Sequence, residues 1–303
     1  ARGVMCNADQ IVIGAGNDYL LILLQMLLNK NSVIAFENPT YVKAYRIMES
    51  LGFEVKIIGM DENGMNMKEL EDSGAYVMPS HQFPTGIITS VGRRNELLKW
   101  ASEEEDRYLI EDDYDSEFRY RGKPIPALQG MDHGGKVIYI GTFSKAIAPA
   151  IRVSYMVLPE RLMQEYEKRG KLVSSTVSRI DQKILNEFIR CGAFERHLNR
   201  MRKIYKGKHD VLLDSLKGFR KKFKIQGEHA GSHILLCAKY EVTEQWLKEK
   251  AEEKGIKIYC LSDYVIKNGC YKNEKAIIII GYAGLSVEEI KKGIAALKAA
   301  WGI

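Results

Sequence analysis

The first half of the chain alternates short apolar runs with longer segments whose apolar residues follow helical spacing. The short runs predict β-strands at residues 10–13, 33–36, 54–58, 75–78, 108–111 and 136–140. The longer segments predict helices at residues 18–28, 41–51 and 91–105. This alternation of strands and helices predicts an α/β fold with a mainly parallel sheet that helices cover on both faces.

The pattern changes in the second half of the chain. After about residue 155 the apolar spacing is helical, and residues 195–216 predict one long helix. Strand-like runs return at residues 233–237, 256–259 and 276–280, with predicted helices at 244–254 and 287–301. We therefore predict a large domain formed by residues 1–216 and a smaller C-terminal α/β domain formed by residues 217–303.

Composition and cysteine spacing exclude several classes of protein. Of the 303 residues, 46% are hydrophobic and 28% are charged, as in ordinary globular domains. The longest apolar stretch, residues 20–28, is interrupted by Gln25 and is shorter than the about 20 residues that span a bilayer. The five cysteines contain no Cys-x-x-Cys pair, so neither a disulfide framework nor a zinc site is indicated. We expect a cytoplasmic protein with no membrane contact.

The net charge of +6 suits an acidic partner, which can be nucleic acid or a phosphate-bearing cofactor. Basic runs occur at residues 200–203 and 220–222, among apolar residues with helical spacing. This context favours solvated helix faces over a nucleic-acid-binding patch.

Small residues follow the first predicted strand, where ligands bind in open α/β sheets. Gly14, Ala15, Gly16 and Asn17 open the next helix, whose free N–H groups and dipole can bind a phosphate. A dinucleotide fingerprint requires glycine at the position of Tyr19, so an NAD site is disfavoured.

Two further strand ends carry reactive side chains. Asp112 follows the strand at 108–111 and can pair with a cationic ring nitrogen, with Tyr114 as a hydrogen-bond donor. A metal site or a solvated acidic turn is the alternative. Lys145 follows the strand at 136–140, and Arg152 comes seven residues later. A desolvated lysine suits Schiff-base chemistry and an arginine binds phosphate, whereas the alternative is a surface lysine.

The order of these motifs resembles the class I/II aminotransferases of fold type I, which depend on pyridoxal 5′-phosphate (PLP). The resemblance also includes Pro-Thr-Tyr at residues 39–41 and Pro-Thr-Gly at 84–86, and it extends over nearly the whole chain. Residues 79–86 (PSHQFPTG) and 111–118 (EDDYDSEF) resemble, more narrowly, the aminotransferase-like domain of MocR-type transcriptional regulators of the GntR superfamily.

The resemblance implies PLP as the cofactor and assigns a role to each matching residue. Lys145 is expected to form the Schiff base and to act as general base, and Asp112 to keep the pyridine nitrogen protonated. Tyr114 is expected to hydrogen-bond the 3′-oxygen, and Tyr41 to stack on the ring. The expected phosphate ligands are Arg152, the hydroxyls of Thr142 and Ser144, and the backbone of Ala15, Gly16 and Asn17.

The chain departs from the family pattern at two points. Phe83 precedes Pro-Thr-Gly where the family usually has asparagine, so His81 or Gln82 is a candidate for the polar role. The family places a carboxylate-binding arginine near the last strand, but no arginine follows Arg220. Lys43 is a candidate substitute, although a lysine lacks the planar fork of an arginine and a solvated helix-face lysine is the alternative.

Two functions remain open from the sequence. The first is an effector-sensing domain of a MocR-type regulator, which forms an aldimine with an amino compound. The second is a genuine aminotransferase that moves amino groups between amino acids and 2-oxo acids. The resemblance further implies a homodimer, a small amine or amino acid as ligand, and DNA contact only through an upstream winged-helix domain that this chain does not contain. His229 and His233 are separated by Gly231, so we expect no metal site.

Overall fold

The structure, a computed structural model, describes residues 2–29, 31–120, 125–228, 230–266 and 275–303. Within these residues, a large sheet has eight strands in the spatial order β1-β8-β7-β6-β5-β2-β3-β4. The strands are β1 Ile11–Gly14, β2 Val33–Asn38, β3 Glu54–Asp61, β4 Gly64–Met65, β5 Gly74–Val77, β6 Tyr108–Asp113, β7 Val137–Thr142 and β8 Ser154–Val157.

The centre of this sheet is parallel, which confirms the predicted fold class. Strands β3, β2, β5, β6 and β7 run parallel to one another. Strand β8 is antiparallel to both β7 and β1, and β4 is antiparallel to β3. The prediction of helical structure after about residue 155 was wrong for β8. A short apolar strand between two neighbours shows neither the strand nor the helix period, because both of its faces are buried.

Six helices of the described chain precede the second sheet, and four of them form separate cores on the two faces of the large sheet. One core contains residues of α1, α2 and α4, including Leu24 and Met48, and the other contains residues of α3, including Leu97. The helices are α1 Asn17–Leu27, α2 Val42–Ser50, α3 Val91–Ser102, α4 Glu160–Lys168, α5 Arg179–Arg190 and α6 Ala193–Ser215.

A second sheet is fully antiparallel and has the spatial order β11-β12-β10-β9. Its helices share one core with the end of α6, where Leu212 and Leu216 meet Leu247 and Ile294. The elements are β9 Phe223–Gln226, β10 His233–Ala238, α7 Glu244–Glu252, β11 Tyr259–Cys260, β12 Ile277–Gly281 and α8 Val287–Ala300. The predicted strand at 256–259 overlaps the observed β11 only at Tyr259, so its bounds were wrong. The domain boundary after residue 216 stays a prediction. Among the residues that the structure describes, no helix has the length and apolar character needed to cross a membrane.

Candidate functional site

Strand β6 ends in carboxylates, and the alternation of its side chains decides which face of the sheet each one reaches. Tyr108 and Ile110 belong to the core that contains α1, whereas Leu109 belongs to the core that contains α3. By the same alternation, Asp112 lies on the α1 face and Asp113 lies on the α3 face.

A cavity of about 300 Å³ lies at the carboxyl ends of β5, β6 and β7, where α1 begins. Its wall contains every residue to which the resemblance assigns a cofactor or ligand role except Ala15, and it does not contain the polar candidates His81 and Gln82. The assigned residues in the wall are Gly16, Asn17, Tyr41, Lys43, Asp112, Tyr114, Thr142, Ser144, Lys145 and Arg152. The other lining residues are Asp18, Met78, Phe83 and Ser154.

The carboxylate of Asp112 lies at the buried side of the cavity. Its oxygens accept hydrogen bonds from the hydroxyl of Tyr76 and, at 3.3 Å, from the side-chain amide of Asn17. Burial raises the pKa of Asp112 to about 6, and the neighbouring carboxylates of Asp113 and Asp115 contribute to the increase. A cationic group beside Asp112 would oppose this shift, because it stabilises the carboxylate.

Lys145 extends into the same cavity, close to Tyr114. Its Nζ lies 5.3 Å from the centroid of the Tyr114 ring and 3.0 Å from Oγ of Ser232. Burial raises the pKa of Tyr114 well above its usual value, and the nearby carboxylate of Asp115 adds to the effect. The phenol therefore keeps its proton at neutral pH.

Gly16 lets an arginine side chain pack against the start of α1. It caps the helix with a φ of 92°, which residues with a Cβ rarely adopt. A Cβ at this position would also lie only 2.6 Å from Nη2 of Arg152. The first-turn N–H groups of a helix have no acceptor within the helix. Together with the guanidinium of Arg152, they form an end of the cavity that can bind an anion.

Hydroxyl groups line the same end. Oγ1 of Thr142 accepts hydrogen bonds from the Ser144 N–H at 3.2 Å and from the Ser154 hydroxyl at 3.0 Å. Because Thr142 ends β7 and Ser154 begins β8, the pairing of two neighbouring strands positions these hydroxyls.

Two predicted residues have partners that compete with their predicted roles. The N–H of Ala15 donates to Oγ1 of Thr176 at 2.9 Å. Nζ of Lys43 forms an ion pair with Asp18, which also lies 3.5 Å from Arg152. The phosphate role of Ala15 and the carboxylate role of Lys43 therefore stay predictions, each with a competing contact.

The segment before Pro-Thr-Gly contributes a ring rather than a polar group to the cavity. Phe83 packs edge-to-face against Tyr41, Tyr114 and Tyr264. Gln82 does not line the cavity, because its amide donates to the carbonyl of Pro39 at 2.7 Å and its Oε1 accepts from Thr85.

His81 lies behind the cavity wall. Its Nδ1 lies 2.9 Å from a carboxylate oxygen of Asp115 and 3.0 Å from the hydroxyl of Tyr114. Burial favours the protonated form of Asp115, but His81 outweighs this effect and lowers the pKa of the carboxyl group. A neutral or protonated His81 with hydrogen on Nδ1 can therefore donate to Asp115. The sequence did not predict this pair, because its members are 34 residues apart and belong to different loops.

Comparison with known proteins identifies the family. The family model for aminotransferase class I and II matches residues 2–297. The chain belongs to the class I and II aminotransferase family. The HTH-type transcriptional regulator YdeL of Bacillus subtilis is 41% identical over 307 residues, which cover 100% of this chain and 65% of YdeL. The probable rhizopine catabolism regulatory protein MocR of Rhizobium meliloti is 29% identical and covers 99% of this chain and 61% of its own length.

Solved structures of this family have the same fold. Kynurenine aminotransferase of Pyrococcus horikoshii superposes with a TM-score of 0.81 at 27% identity, over 96% of this chain and 74% of that enzyme. That structure is described as a complex with PMP, the amino form of the cofactor. The chain is therefore an aminotransferase-like domain of the type found in MocR-type regulators, as the motifs predict. It spans less than two thirds of the length of the regulators it matches.

The expectation that the chain has no metal site comes from the spacing of its histidines and cysteines. His229 lies outside the described residues, as does Cys270. Within the described ranges, no group of three or more His, Cys, Asp or Glu side chains is placed to hold a metal ion.

Glu37 is a buried carboxyl group near the end of β2. Burial raises its pKa to about 7, although hydrogen bonds with the backbone of Met78 and the side chain of Gln82 oppose the increase. Its Oε2 has no hydrogen-bond partner among the described residues. The folded state therefore favours the protonated form of Glu37, and its stabilising contribution is lost as pH rises from about 4.5 through about 7.

We expect Glu37→Gln to be more stable than the wild type above pH 7, because glutamine carries no charge to bury. The gain should be about 1–3 kcal/mol at pH 8 and should vanish near pH 4.5. Urea unfolding across this pH range measures it. The exposed Glu71→Gln change serves as control and should show no such trend. A Glu37→Gln effect that does not depend on pH would contradict the assignment.

Proposed function

We propose that this chain is the PLP-binding, effector-sensing domain of a MocR-type transcriptional regulator. The observation that carries the proposal is the cavity in which Lys145, Asp112, Tyr114 and Arg152 meet, in a chain whose relatives YdeL and MocR are regulators. The effector is a small amine or amino acid.

The cavity residues fit PLP at both ends of the molecule. Arg152, the start of α1 and the hydroxyls of Thr142 and Ser144 suit its phosphate group. At the opposite end, Asp112 suits a protonated ring nitrogen, which would stabilise its carboxylate. Oδ1 of Asn17 is buried without a hydrogen-bond partner among the described residues, so this end has unsatisfied polar capacity.

When bound, PLP supplies an electron sink for negative charge that develops beside the ligand's nitrogen. The chain's own residues hold and orient the reacting groups. Nζ of Lys145 is the point of covalent attachment and the base that moves a proton. Asp112 retains the proton on the ring nitrogen, Tyr114 presents its hydroxyl, and Tyr41 packs on the ring face.

Weak turnover is part of the proposal because the usual carboxylate clamp is absent from the sequence. No arginine follows Arg220, and Lys275 before β12 is exposed. Lys43 is paired with Asp18 and offers a compact ammonium instead of a planar fork. A ligand carboxylate that is held loosely leaves the reacting bond poorly aligned, and alignment is a large part of rate acceleration.

An exposed apolar surface supports association of two chains. Leu172, Ile180 and Ile184 are 80%, 72% and 64% exposed, and Ile180 and Ile184 are one helical turn apart on α5. The same region adjoins the cavity, because Oγ1 of Thr176 accepts from the N–H of Ala15. Large apolar residues that are exposed next to one another, as Ile180 and Ile184 are on α5, are typical of protein interfaces. We propose a homodimer that covers this surface.

DNA contact is assigned to a winged-helix segment outside this chain. The relatives extend well beyond the matched region, and their names describe HTH-type regulators. A protein that acts on an operator in this way would function in the cytoplasm.

A genuine aminotransferase is the second candidate. It is favoured by the complete set of Lys145, Asp112 and Tyr114 in one cavity, and by the similarity to kynurenine aminotransferase. The two functions differ in whether the bound amino compound is converted.

The attachment site can be tested by reduction with borohydride after incubation with PLP. Peptide mapping should place the pyridoxyl group on Lys145, because its Nζ lies inside the cavity without an acidic ion-pair partner among the described residues. Lys43→Met should retain the label and Lys145→Met should lose it. Recovery of the label mainly on Lys43 would contradict the proposal.

Turnover separates the two functions. PLP-loaded protein mixed with α-amino acids and ω-amines should show ligand-dependent changes in cofactor absorbance with little 2-oxo acid formed. Its turnover should lie far below the roughly 10 per second typical of enzymes. Quantifying 2-oxo acid in quenched samples measures this, with Lys145→Met as the background control. Rapid stoichiometric release of a 2-oxo acid from a common amino acid would establish the aminotransferase instead.

Sedimentation tests the homodimer. Ile184→Glu should shift the protein towards monomer, because it places a charge within the apolar surface, while its circular dichroism should not change. Val91→Glu is the matched control, since Val91 is 68% exposed at the start of α3. A monomeric wild type, or equal dissociation in both variants, would refute the assigned surface.

A further inference from the structure

The amine of Lys145 contacts a residue of the second sheet. Its Nζ lies 3.0 Å from Oγ of Ser232, which is 87 residues away and directly precedes β10. Nζ of Lys145 also lies 5.3 Å from the centroid of the Tyr114 ring. A hydroxyl oxygen and an aromatic face are both favourable neighbours for an ammonium group.

The turn that carries Ser232 is held on both sides by hydrogen bonds. The carbonyl of Gly231 accepts from the hydroxyls of Tyr120 and Tyr282, each at 2.7 Å. The N–H of Gly231 donates to Phe118 at 2.8 Å, and the carbonyl of Ser232 accepts from the N–H of Tyr282 at 3.1 Å. These contacts fix the backbone of Ser232, so its hydroxyl needs only a choice of rotamer to reach Lys145.

Gly231 also brings the turn close to the large sheet. Its φ is 82°, and a Cβ at this position would lie 2.0 Å from Cε1 of His81. A larger residue would push the turn away from His81 and thereby move Ser232. The next residue, His233, donates from Nε2 to the carbonyl of Pro84 at 2.9 Å. Burial lowers the pKa of His233 to about 4, although this hydrogen bond opposes the decrease. The position of Ser232 is thus set by contacts between the two sheets.

We propose that Ser232 is a positioning residue that binds the amine of Lys145 whenever this amine is not bonded to the cofactor. The inference rests on the proposed role of Lys145 as the attachment point. If PLP were attached at Nζ, the ammonium group of an incoming ligand would give up its three hydrogens to Nζ as the ligand nitrogen replaced Nζ on the cofactor carbon. Lys145 would then be released as an ammonium group, and no other reactant would be needed.

Ser232 then stabilises the ligand-bound state, because only the released amine can hydrogen-bond to its hydroxyl as an ammonium donor. Since Ser232 leads directly into β10, release of Lys145 also creates a contact with the second sheet. In an effector sensor, this contact would be present with ligand bound and absent without it. A ligand can change the conformation of a protein only if the two states differ in such contacts.

The first experiment uses the full chain without cofactor and needs no turnover. Trace acetylation of lysines at pH 8, followed by peptide mass spectrometry, measures how freely Nζ of Lys145 reacts. Ser232→Val should increase the labelling rate of Lys145 about threefold to tenfold, as expected for loss of one partly exposed hydrogen bond to a charged group. Ser232→Thr has nearly the same shape but keeps the hydroxyl, and it should label like the wild type.

Controls within the same experiment exclude an effect of altered folding. Lys43 should label equally in all variants, because its ion pair with Asp18 does not involve Ser232. Ser215→Ala removes a serine whose hydroxyl donates to the carbonyl of Val211 on the same helix, and it should leave the labelling of Lys145 unchanged. Equal labelling of Lys145 in Ser232→Val and the wild type, or a Ser232→Thr rate like that of Ser232→Val, would overturn the proposal.

The second experiment tests the consequence for ligand binding in PLP-loaded protein. Methylamine serves as the displacing amine, and cofactor absorbance reports displacement. Ser232→Val should require about threefold to tenfold more methylamine for half-displacement, and Ser232→Thr should match the wild type. An unchanged requirement in Ser232→Val would refute the stabilising role. If PLP fails to attach at all, the proposed function fails, whereas the acetylation experiment still decides the contact of Ser232.

Discussion

Four carboxyl groups are buried at and just after the end of β6, those of Glu111, Asp112, Asp113 and Asp115. The candidate site depends on the hydrogen bonds and ion pairs that these groups form. Glu111 accepts the N–H groups of Leu128 and Gln129, and Asp113 accepts hydrogen bonds from Arg2 and Tyr139. These two lie on the α3 face. On the other side, Asp112 faces the cavity, and Asp115 is paired with His81. Because an unpaired buried charge costs several kcal/mol, these partners are requirements of the fold.

The contacts of these carboxyl groups have a direct consequence for the cavity. Asp112 is the member of the group that faces the cavity wall, so it can respond to a cation brought in by a ligand. Asp115 is paired with His81, and this contact keeps the histidine next to Tyr114 and Gly231. The same polar layer therefore shapes the cavity and positions the turn that leads into β10. Binding in the cavity and contact between the two sheets share these residues.

The meeting of Asp112 and Lys145 in one cavity was predictable, because neighbouring parallel strands place their carboxyl ends along one edge of a sheet. Alternation along β6 even separates Asp112 from Asp113. Contacts between distant segments were not predictable: neither spacing nor motif links Ser232 to Lys145 or His81 to Asp115. The strand β8 was missed for a different reason, since a short run buried on both faces has no visible period. Sequence thus indicates which residues can react, while the fold decides what holds them.

The proposed sensing function is physically compatible with a full set of reactive side chains. Covalent capture of an amine needs an attached lysine, a stabilised ring and an anchored phosphate, and these are the same groups that conversion needs. Conversion additionally needs the reacting bond of the ligand to be aligned correctly, and this alignment depends on tight binding of the ligand's carboxylate. In this chain Lys43, the candidate residue for that purpose, is already paired with Asp18. Loss of one clamp can therefore suppress conversion selectively, and a partner such as Ser232 can then favour the captured state.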